Sequence, residues 1–103
     1  MKNAEKLVVL TVQDFMKQMS MTSIVPVIRT NINEYPYITF INDKNESENI
    51  YFSKDSAKSL EKGMPIVKGF FSNYSIGFTT NANGETRTKL VGQGQRLSVE
   101  DLF

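Results

Sequence analysis

Tyrosine and basic side chains are the residues of this sequence with the clearest capacity for binding chemistry. The tyrosines occur in segments of strand composition, interleaved with lysines and arginines. A sheet that exposes aromatic rings beside cations can bind single-stranded nucleic acid, because each base stacks on a ring for about 1 to 3 kcal/mol and cations contact the phosphates. The predicted contacts are Tyr35, Tyr37 and Tyr51 for stacking, and Arg29, Lys68, Arg87 and Lys89 for phosphates. A second interpretation stays open, in which the rings fill the core of a small β-domain.

Composition excludes most catalytic chemistry. The chain has no cysteine and no histidine, so it has no thiolate nucleophile, no imidazole base and no sulfur or imidazole metal ligand. Asp43, Glu46 and Glu48 lie close together in sequence, but they lack the ligand spacing and central glycine of a calcium loop. The Gly-Gln-Gly segment at 92–94 lacks the third glycine of a dinucleotide-binding motif. We therefore predict a protein that is not an enzyme and that carries no metal or cofactor.

Segments rich in β-branched and aromatic residues predict a mainly β fold. We expect strands over 24–30, 35–41, 49–52, 65–71, 74–80 and 85–91, and helices over 11–19 and 54–62. A polar loop at 43–47 separates two of these strands, which predicts a β-hairpin. The expected fold class is α+β, mainly β: a bent antiparallel sheet or small barrel of five to six strands with two short helices.

Capping residues mark the ends of the two predicted helices. Thr11 can accept a hydrogen bond from a free amide of the first helix, and Asp14 lies at its positive end. Ser53 is the corresponding cap of the second helix, and Gly63 suits the left-handed residue that ends a helix. The second helix is mostly polar, so we expect it to lie on the surface.

Alternation along the predicted strands indicates which rings can be exposed. Tyr35 and Tyr37 share one face of their strand, and Ile38 lies on the other. One of these faces must be partly exposed unless the sheet is covered on both sides. In the 85–91 strand the same alternation puts Arg87 and Lys89 on one face.

The C-terminal segment ends in acidic and aromatic residues. Residues 1–91 are predicted to form a single globular domain, and 92–103 a segment hinged by glycines. The final four residues are Glu100, Asp101, Leu102 and Phe103. They resemble the acidic tails ending in phenylalanine of bacterial and phage single-stranded-DNA-binding proteins. The resemblance implies that these residues dock on protein partners, although they could instead pack on the domain as a last helical turn.

A second resemblance concerns the predicted hairpin and the helix that follows it. Residues 37–60 resemble the coactivator-like single-strand-binding fold found in some phages. The two resemblances together imply a role in replication or recombination of a phage or bacterial type.

Length, composition and charge limit the number of domains and the classes of protein that the chain can belong to. The chain has 103 residues, of which 40% are hydrophobic, which is enough for one core. The formal net charge is +1, so no whole-molecule field attracts nucleic acid and the basic residues must act locally. The apolar run at 7–12 is too short for a signal sequence or a membrane span, so we expect a cytoplasmic protein that does not enter membranes.

The sequence favours a non-catalytic module that binds single-stranded nucleic acid. The alternative is a structural or assembly protein that forms homo-oligomers, such as an accessory virion component, or a small protein inhibitor. Pro26 cannot donate a ladder hydrogen bond, so the 24–30 strand should be an edge strand or carry a bulge. This edge and the C-terminal tip are the expected contacts in an assembly.

Overall fold

The structure is a computed structural model that describes residues 7–80 and 82–92. In chain order its elements are β1 (Val8–Thr11), α1 (Val12–Gln18), β2 (Met21–Ile24), β3 (Arg29–Thr30), β4 (Pro36–Asn42), β5 (Ser47–Tyr51), α2 (Lys54–Ala57), a 3-10 turn (Phe70–Asn73), β6 (Tyr74–Thr80) and β7 (Thr86–Gly92). Within the described residues, no helix is long and apolar enough to cross a bilayer.

The strands form two antiparallel sheets. The first sheet has the order β1, β6, β7. The second is built on β4, which pairs with β5 along one edge and with β2 and β3, placed end to end, along the other. The predicted fold class, mainly β and antiparallel with two short α-helices, is confirmed. The described residues contain seven strands: β2 and β3 replace the single strand expected over 24–30, β1 is added, and the strand expected over 65–71 does not form.

The β4–β5 hairpin is confirmed, and its turn explains its register. Asn42 Oδ1 accepts hydrogen bonds from the backbone N–H groups of Lys44 and Glu46 at 2.9 and 2.8 Å. Asn45 adopts a left-handed φ of 64°, which asparagine tolerates better than most residues. The closed turn fixes which residues of β4 and β5 lie opposite each other.

The β6–β7 hairpin also follows the prediction. Gly84, in the turn, adopts the positive φ of 83° that glycine allows without strain. Ile76 and Leu90 lie opposite each other and are fully buried. Arg87 and Lys89 share the other face of β7, as the alternation predicts.

Alternate residues of β4 form the centre of the hydrophobic core. Ile38 and Phe40 have no exposed surface. The ring of Phe15 in α1 meets the ring of Phe40 edge-on, with 5.9 Å between centroids. The buried apolar cluster comprises Val12, Phe15, Ile28, Ile38, Phe40, Ile50, Phe52, Ile76 and Leu90. The core therefore draws on both sheets and on α1.

The first helix is confirmed together with its cap. The Thr11 hydroxyl accepts a hydrogen bond from the Asp14 N–H at 3.0 Å. Asp14 in the first turn and Lys17 in the last complement the helix dipole. Val12 and Phe15 are the buried residues that attach α1 to the core.

The two sheets are joined where β5 ends. Phe52 forms a parallel bridge with Leu90, and the Ser53 N–H donates to the Leu90 carbonyl at 2.8 Å. The Ser53 hydroxyl caps α2 by accepting from the Ser56 N–H at 3.3 Å. The Ser56 hydroxyl accepts from the Ser53 hydroxyl at 2.9 Å and from the N–H of Gly92, the last residue of β7, at 2.8 Å. These serines tie the start of α2 to β7.

The prediction of one strand over 24–30 is wrong, because the chain is interrupted around Pro26 and forms β2 and β3 instead. The Pro26 carbonyl accepts a hydrogen bond from the Ile66 N–H at 2.9 Å, and Val27 forms a bridge with Pro65. A segment of the same chain therefore covers the edge at Pro26. This covering involves Pro26 and Val27, and the expected partner contact through the edge strands β2 and β3 stays a prediction.

The prediction of a helix over 54–62 is wrong in length, since α2 ends at Ala57. Residues 63 and 64, further along the chain, instead form backbone hydrogen bonds with Ile28, just before β3. The Gly63 N–H donates to the Ile28 carbonyl, and the Ile28 N–H donates to the Met64 carbonyl, both at 2.8 Å. These longer-range bonds override the helix propensity of the segment.

The prediction of a strand over 65–71 is also wrong, since this segment forms a loop that leads into the 3-10 turn. Phe70 meets Phe52 edge-on at 6.4 Å, and Phe71 stacks on Phe40 at 6.2 Å between ring centroids. The aromatic residues of this segment therefore cover the core instead of joining a sheet.

Strand β1, which pairs with β6, was not predicted from the sequence.

We expect Ser56→Ala to lower the free energy of unfolding by about 1 to 3 kcal/mol, because the substitution removes the buried partner of Gly92 and Ser53. Urea denaturation measures the change. The matched control is Ser47→Ala at an exposed position of β5, where we expect a change within about 0.5 kcal/mol. Equal stability of the two variants would contradict the structural role of Ser56.

We expect Thr79→Val to raise the free energy of unfolding by at least about 1 kcal/mol. Thr79 in β6 is 1% exposed and its hydroxyl has no hydrogen-bond partner, so valine keeps the shape and removes the desolvation cost. The control is Thr80→Val, at an exposed neighbour whose hydroxyl pairs with that of Thr86 at 3.1 Å. A gain that is no larger than in the control would count against this explanation.

Candidate nucleic-acid interface

Alternation in β4 and β5 places two tyrosines on the face that points away from the core. Ile38 and Ile50 lie opposite each other and are fully buried, whereas Tyr37 and Tyr51 lie opposite each other on the other face. We call this second face the outer face. Tyr37 and Tyr51 are both partly exposed. Alternation alone did not say which face of β4 is exposed. The structure places Tyr37 on the more exposed of the two faces.

Strand register aligns these tyrosines with two cations. Arg29 of β3 lies opposite Tyr37, and Tyr37 lies opposite Tyr51. The two rings have centroids 5.0 Å apart and planes tilted by 45°. Lys89 Nζ lies over the Tyr51 ring, 5.7 Å from its centroid. We call Arg29, Tyr37, Tyr51 and Lys89 the tyrosine row, in which a cation stands at each end of two adjacent rings.

The position of Lys89 follows from its neighbours in the register. On one side it faces Gly77 of β6, which offers no side chain to contact. On the other side the Tyr51 ring attracts the ammonium group through a cation–π contact. Lys89 is half-buried, and this burial lowers the pKa of its amine, because the charged form loses hydration.

The outer-face positions around the row are polar, apolar or basic, and two of them, Thr39 and Val91, are buried. The Thr39 hydroxyl donates to Asn49 Oδ1 at 2.8 Å. The outer-face positions of β4, β5 and β7 are Tyr37, Thr39, Ile41, Ser47, Asn49, Tyr51, Arg87, Lys89 and Val91. None of these positions holds a carboxylate. A phosphate placed along the row would therefore meet cations, and no like charge on these three strands.

Two further predicted contacts lie beside the row. Arg87 shares the outer face of β7 with Lys89, and its guanidinium lies 4.0 Å from the Glu85 carboxylate. Tyr35 precedes β4, is 60% exposed, and its N–H donates to Asn31 Oδ1 at 2.9 Å. Both could contact a ligand that extends past the row.

Lys68 is not brought together with the other predicted contacts. It lies in the loop before the 3-10 turn, where Phe71 stacks on Phe40. Phe40 and Tyr37 are on opposite faces of β4. The loop of Lys68 thus covers the core side of the sheet.

The predicted docking residues Glu100, Asp101, Leu102 and Phe103 lie outside the described residues.

The fourth tyrosine, Tyr74, packs with the aromatic residues of the core, in line with the second interpretation of the rings. Tyr74 stacks on Phe70, with 4.8 Å between centroids and 14° between planes, and meets Phe52 edge-on at 5.4 Å. Burial raises the pKa of the Tyr74 hydroxyl, because the phenolate would lose hydration. Tyr74 therefore belongs to an aromatic cluster that covers the core.

Sequence reasoning missed the turn between β3 and β4 as a candidate surface. Asn31 and Ile32 lie in this turn, and Ile32 is highly exposed. The available signal was an isoleucine between two asparagines, where a turn usually carries small or polar residues.

Known proteins give no further guide to the site. A comparison with protein families, curated proteins and solved structures found no match. In the part of the chain that the structure describes, no group of three or more acidic side chains could hold a metal ion. The function must therefore be inferred from the tyrosine row itself.

The lowered pKa of Lys89 makes stability depend on pH in a defined direction. Between the pKa of Lys89 in the folded protein and its ordinary value of 10.5, the unfolded chain holds a proton that the folded chain has released. The free energy of unfolding therefore gains a term that increases with pH across this window. Lys89→Met removes this term.

We expect the stability of Lys89→Met relative to the wild type to be greatest at neutral pH and to fall as pH approaches 10.5. Urea denaturation of both proteins across this range measures the difference. The raised pKa of Tyr74 lowers stability at high pH, but it does so in both proteins and cancels in the difference. A difference that does not change with pH would contradict the burial of Lys89.

Proposed function

We propose that the outer face binds single-stranded nucleic acid, with the tyrosine row as the contact surface. The order of the row carries the proposal, because two adjacent rings lie between Arg29 and Lys89. Aromatic rings stack with any base, and the cations neutralise phosphates. A single strand presents unstacked bases to the rings, which a duplex does not.

The row crosses the strands instead of following one of them, and it passes from the second sheet to β7 of the first where Phe52 bridges Leu90. Its four residues belong to β3, β4, β5 and β7. Neighbouring strands are about 4.8 Å apart, so the rings and cations follow each other at short, regular steps. A bound strand would run along this line, with bases on the rings and phosphates near the two ends.

Lys89 has two alternative partners in this binding mode. Without a ligand its ammonium group lies over the Tyr51 ring. A base that stacks on this ring would displace the ammonium group, which can then contact a phosphate. The exchange is favourable because a charge-assisted contact replaces the weaker cation–π contact.

The overall charge indicates how such a ligand would be held. With a net charge of +1 there is little long-range attraction, so binding depends on the local cations and on stacking. The affinity should be modest and should fall with added salt. Residues 100–103 resemble the tails of single-stranded-DNA-binding proteins, and this resemblance extends the proposal to a cytoplasmic role in replication or recombination.

Fluorescence anisotropy with a labelled oligothymidylate of about 16 nucleotides tests the proposal. A plot of log affinity against log salt should lose about 0.7 of its slope in Lys89→Met, because one phosphate contact is removed. In Tyr37→Leu the affinity should fall by about 1 to 3 kcal/mol with the slope unchanged, because a stacking surface is lost.

Lys68→Met is the matched control, since Lys68 lies on the loop that covers the core side of the sheet. It should change neither affinity nor slope. The proposal fails if no binding occurs at low salt, or if Lys68→Met and Lys89→Met have equal effects.

An assembly role is the second candidate function. Val9 in β1 and Val67 in the loop before the 3-10 turn are large apolar side chains that are more than half exposed. Such side chains can become buried between protomers. Light scattering distinguishes this role: a mass that rises with concentration, without any oligonucleotide binding, would favour assembly.

A further inference from the structure

Ile32 is the most exposed large apolar side chain among the described residues, with 96% of its surface accessible. Single apolar side chains on a surface are common and need no explanation by themselves. The surroundings of Ile32 are what give its exposure significance.

The turn that carries Ile32 is held in place by Asn31. Asn31 Oδ1 accepts hydrogen bonds from the N–H groups of Asn33 and Tyr35, both at 2.9 Å. The Asn31 carbonyl accepts from the Glu34 N–H at 2.9 Å, and Glu34 adopts a left-handed φ of 65°. Ile32 is thus presented on a defined turn, so a partner that covers it would lose little affinity to the ordering of this loop.

Ile32 borders a groove of about 840 Å³. Leu60 contributes a second apolar side chain to the lining, and it packs against the hydrophobic core, which anchors this wall. Glu34 and Glu61 add two carboxylates, against the single ammonium group of Lys62. The groove therefore combines aliphatic surface with an excess of negative charge.

We infer that this groove binds a short segment of another protein in which apolar side chains alternate with lysine or arginine. The apolar side chains of the segment contact Ile32 and Leu60, and its basic side chains contact Glu34 and Glu61. The charges supply specificity for the partner, and the aliphatic surfaces supply the area that becomes buried.

The same charges disfavour two other occupants. Nucleic acid would bring phosphates towards two carboxylates. A second copy of the chain, docked groove to groove about a twofold axis, would bring the carboxylates of both copies together. The groove and the tyrosine row therefore select ligands of opposite charge.

Two matched pentapeptides test the inference: acetyl-Leu-Lys-Ile-Arg-Leu-amide and acetyl-Leu-Glu-Ile-Glu-Leu-amide. Each is titrated into the full chain while the methyl signals of Ile32 and Leu60 are followed by NMR. The basic peptide should shift both signals. The acidic peptide should bind about tenfold more weakly, because two ion pairs, each contributing about twofold to fivefold, are replaced by repulsion.

Substitutions in the groove separate the contribution of apolar contact from that of charge. Ile32→Ser should weaken the basic peptide at least about tenfold, because an apolar anchor is lost. The variant should still fold, since Ile32 is not buried. Glu34→Gln combined with Glu61→Gln should bring the two peptides within about twofold of each other. Val67→Ser, which removes an exposed apolar side chain outside the groove lining, is the control and should change nothing.

Three results would overturn the inference. Equal affinity of the two peptides for the wild type would exclude recognition by charge. Unchanged binding in Ile32→Ser would exclude Ile32 as the anchor. Ile32 signals that shift with protein concentration in the absence of peptide would identify a second copy of the chain as the occupant instead.

Discussion

The pairing of Phe52 and Ser53 with Leu90 is the contact on which the rest of the structure depends. It is a short parallel contact between two antiparallel sheets, supported by buried serine hydroxyl groups. On the inner side it brings the apolar residues of both sheets into one core. On the outer side it brings Lys89 to Tyr51. One backbone contact thus determines both the continuity of the core and the composition of the tyrosine row.

The elements that could be predicted from the sequence are those whose signals are local. Turn residues predicted both hairpins, and Thr11 marked the start of α1, because these interactions join neighbours in the chain. The position of Lys89 over Tyr51 could not be predicted, since it depends on contacts between distant strands. The 65–71 segment has the composition of a strand, but apolar composition alone does not distinguish pairing in a sheet from covering a core. The 54–62 segment has helix propensity that longer-range hydrogen bonds override.

The near-neutral charge of the chain conceals two local regions of opposite sign. The outer face carries cations beside uncharged side chains, whereas the groove next to Ile32 carries an excess of carboxylates. Arg29, at one end of the tyrosine row, and Ile32 are separated by only two residues. One short strand and the turn after it therefore contribute to both surfaces. Composition averages the two regions, so net charge alone is a poor guide to what this chain binds.

The covering of the chain at Pro26 has a consequence for self-association. Open main-chain groups at the rim of a sheet are templates for strand addition, which can continue without limit into fibrils. Here proline removes one donor, and the Ile66 amide already occupies the Pro26 carbonyl. Main-chain pairing with another chain is therefore blocked at Pro26. An assembly contact at this position would have to use side chains instead of the main chain.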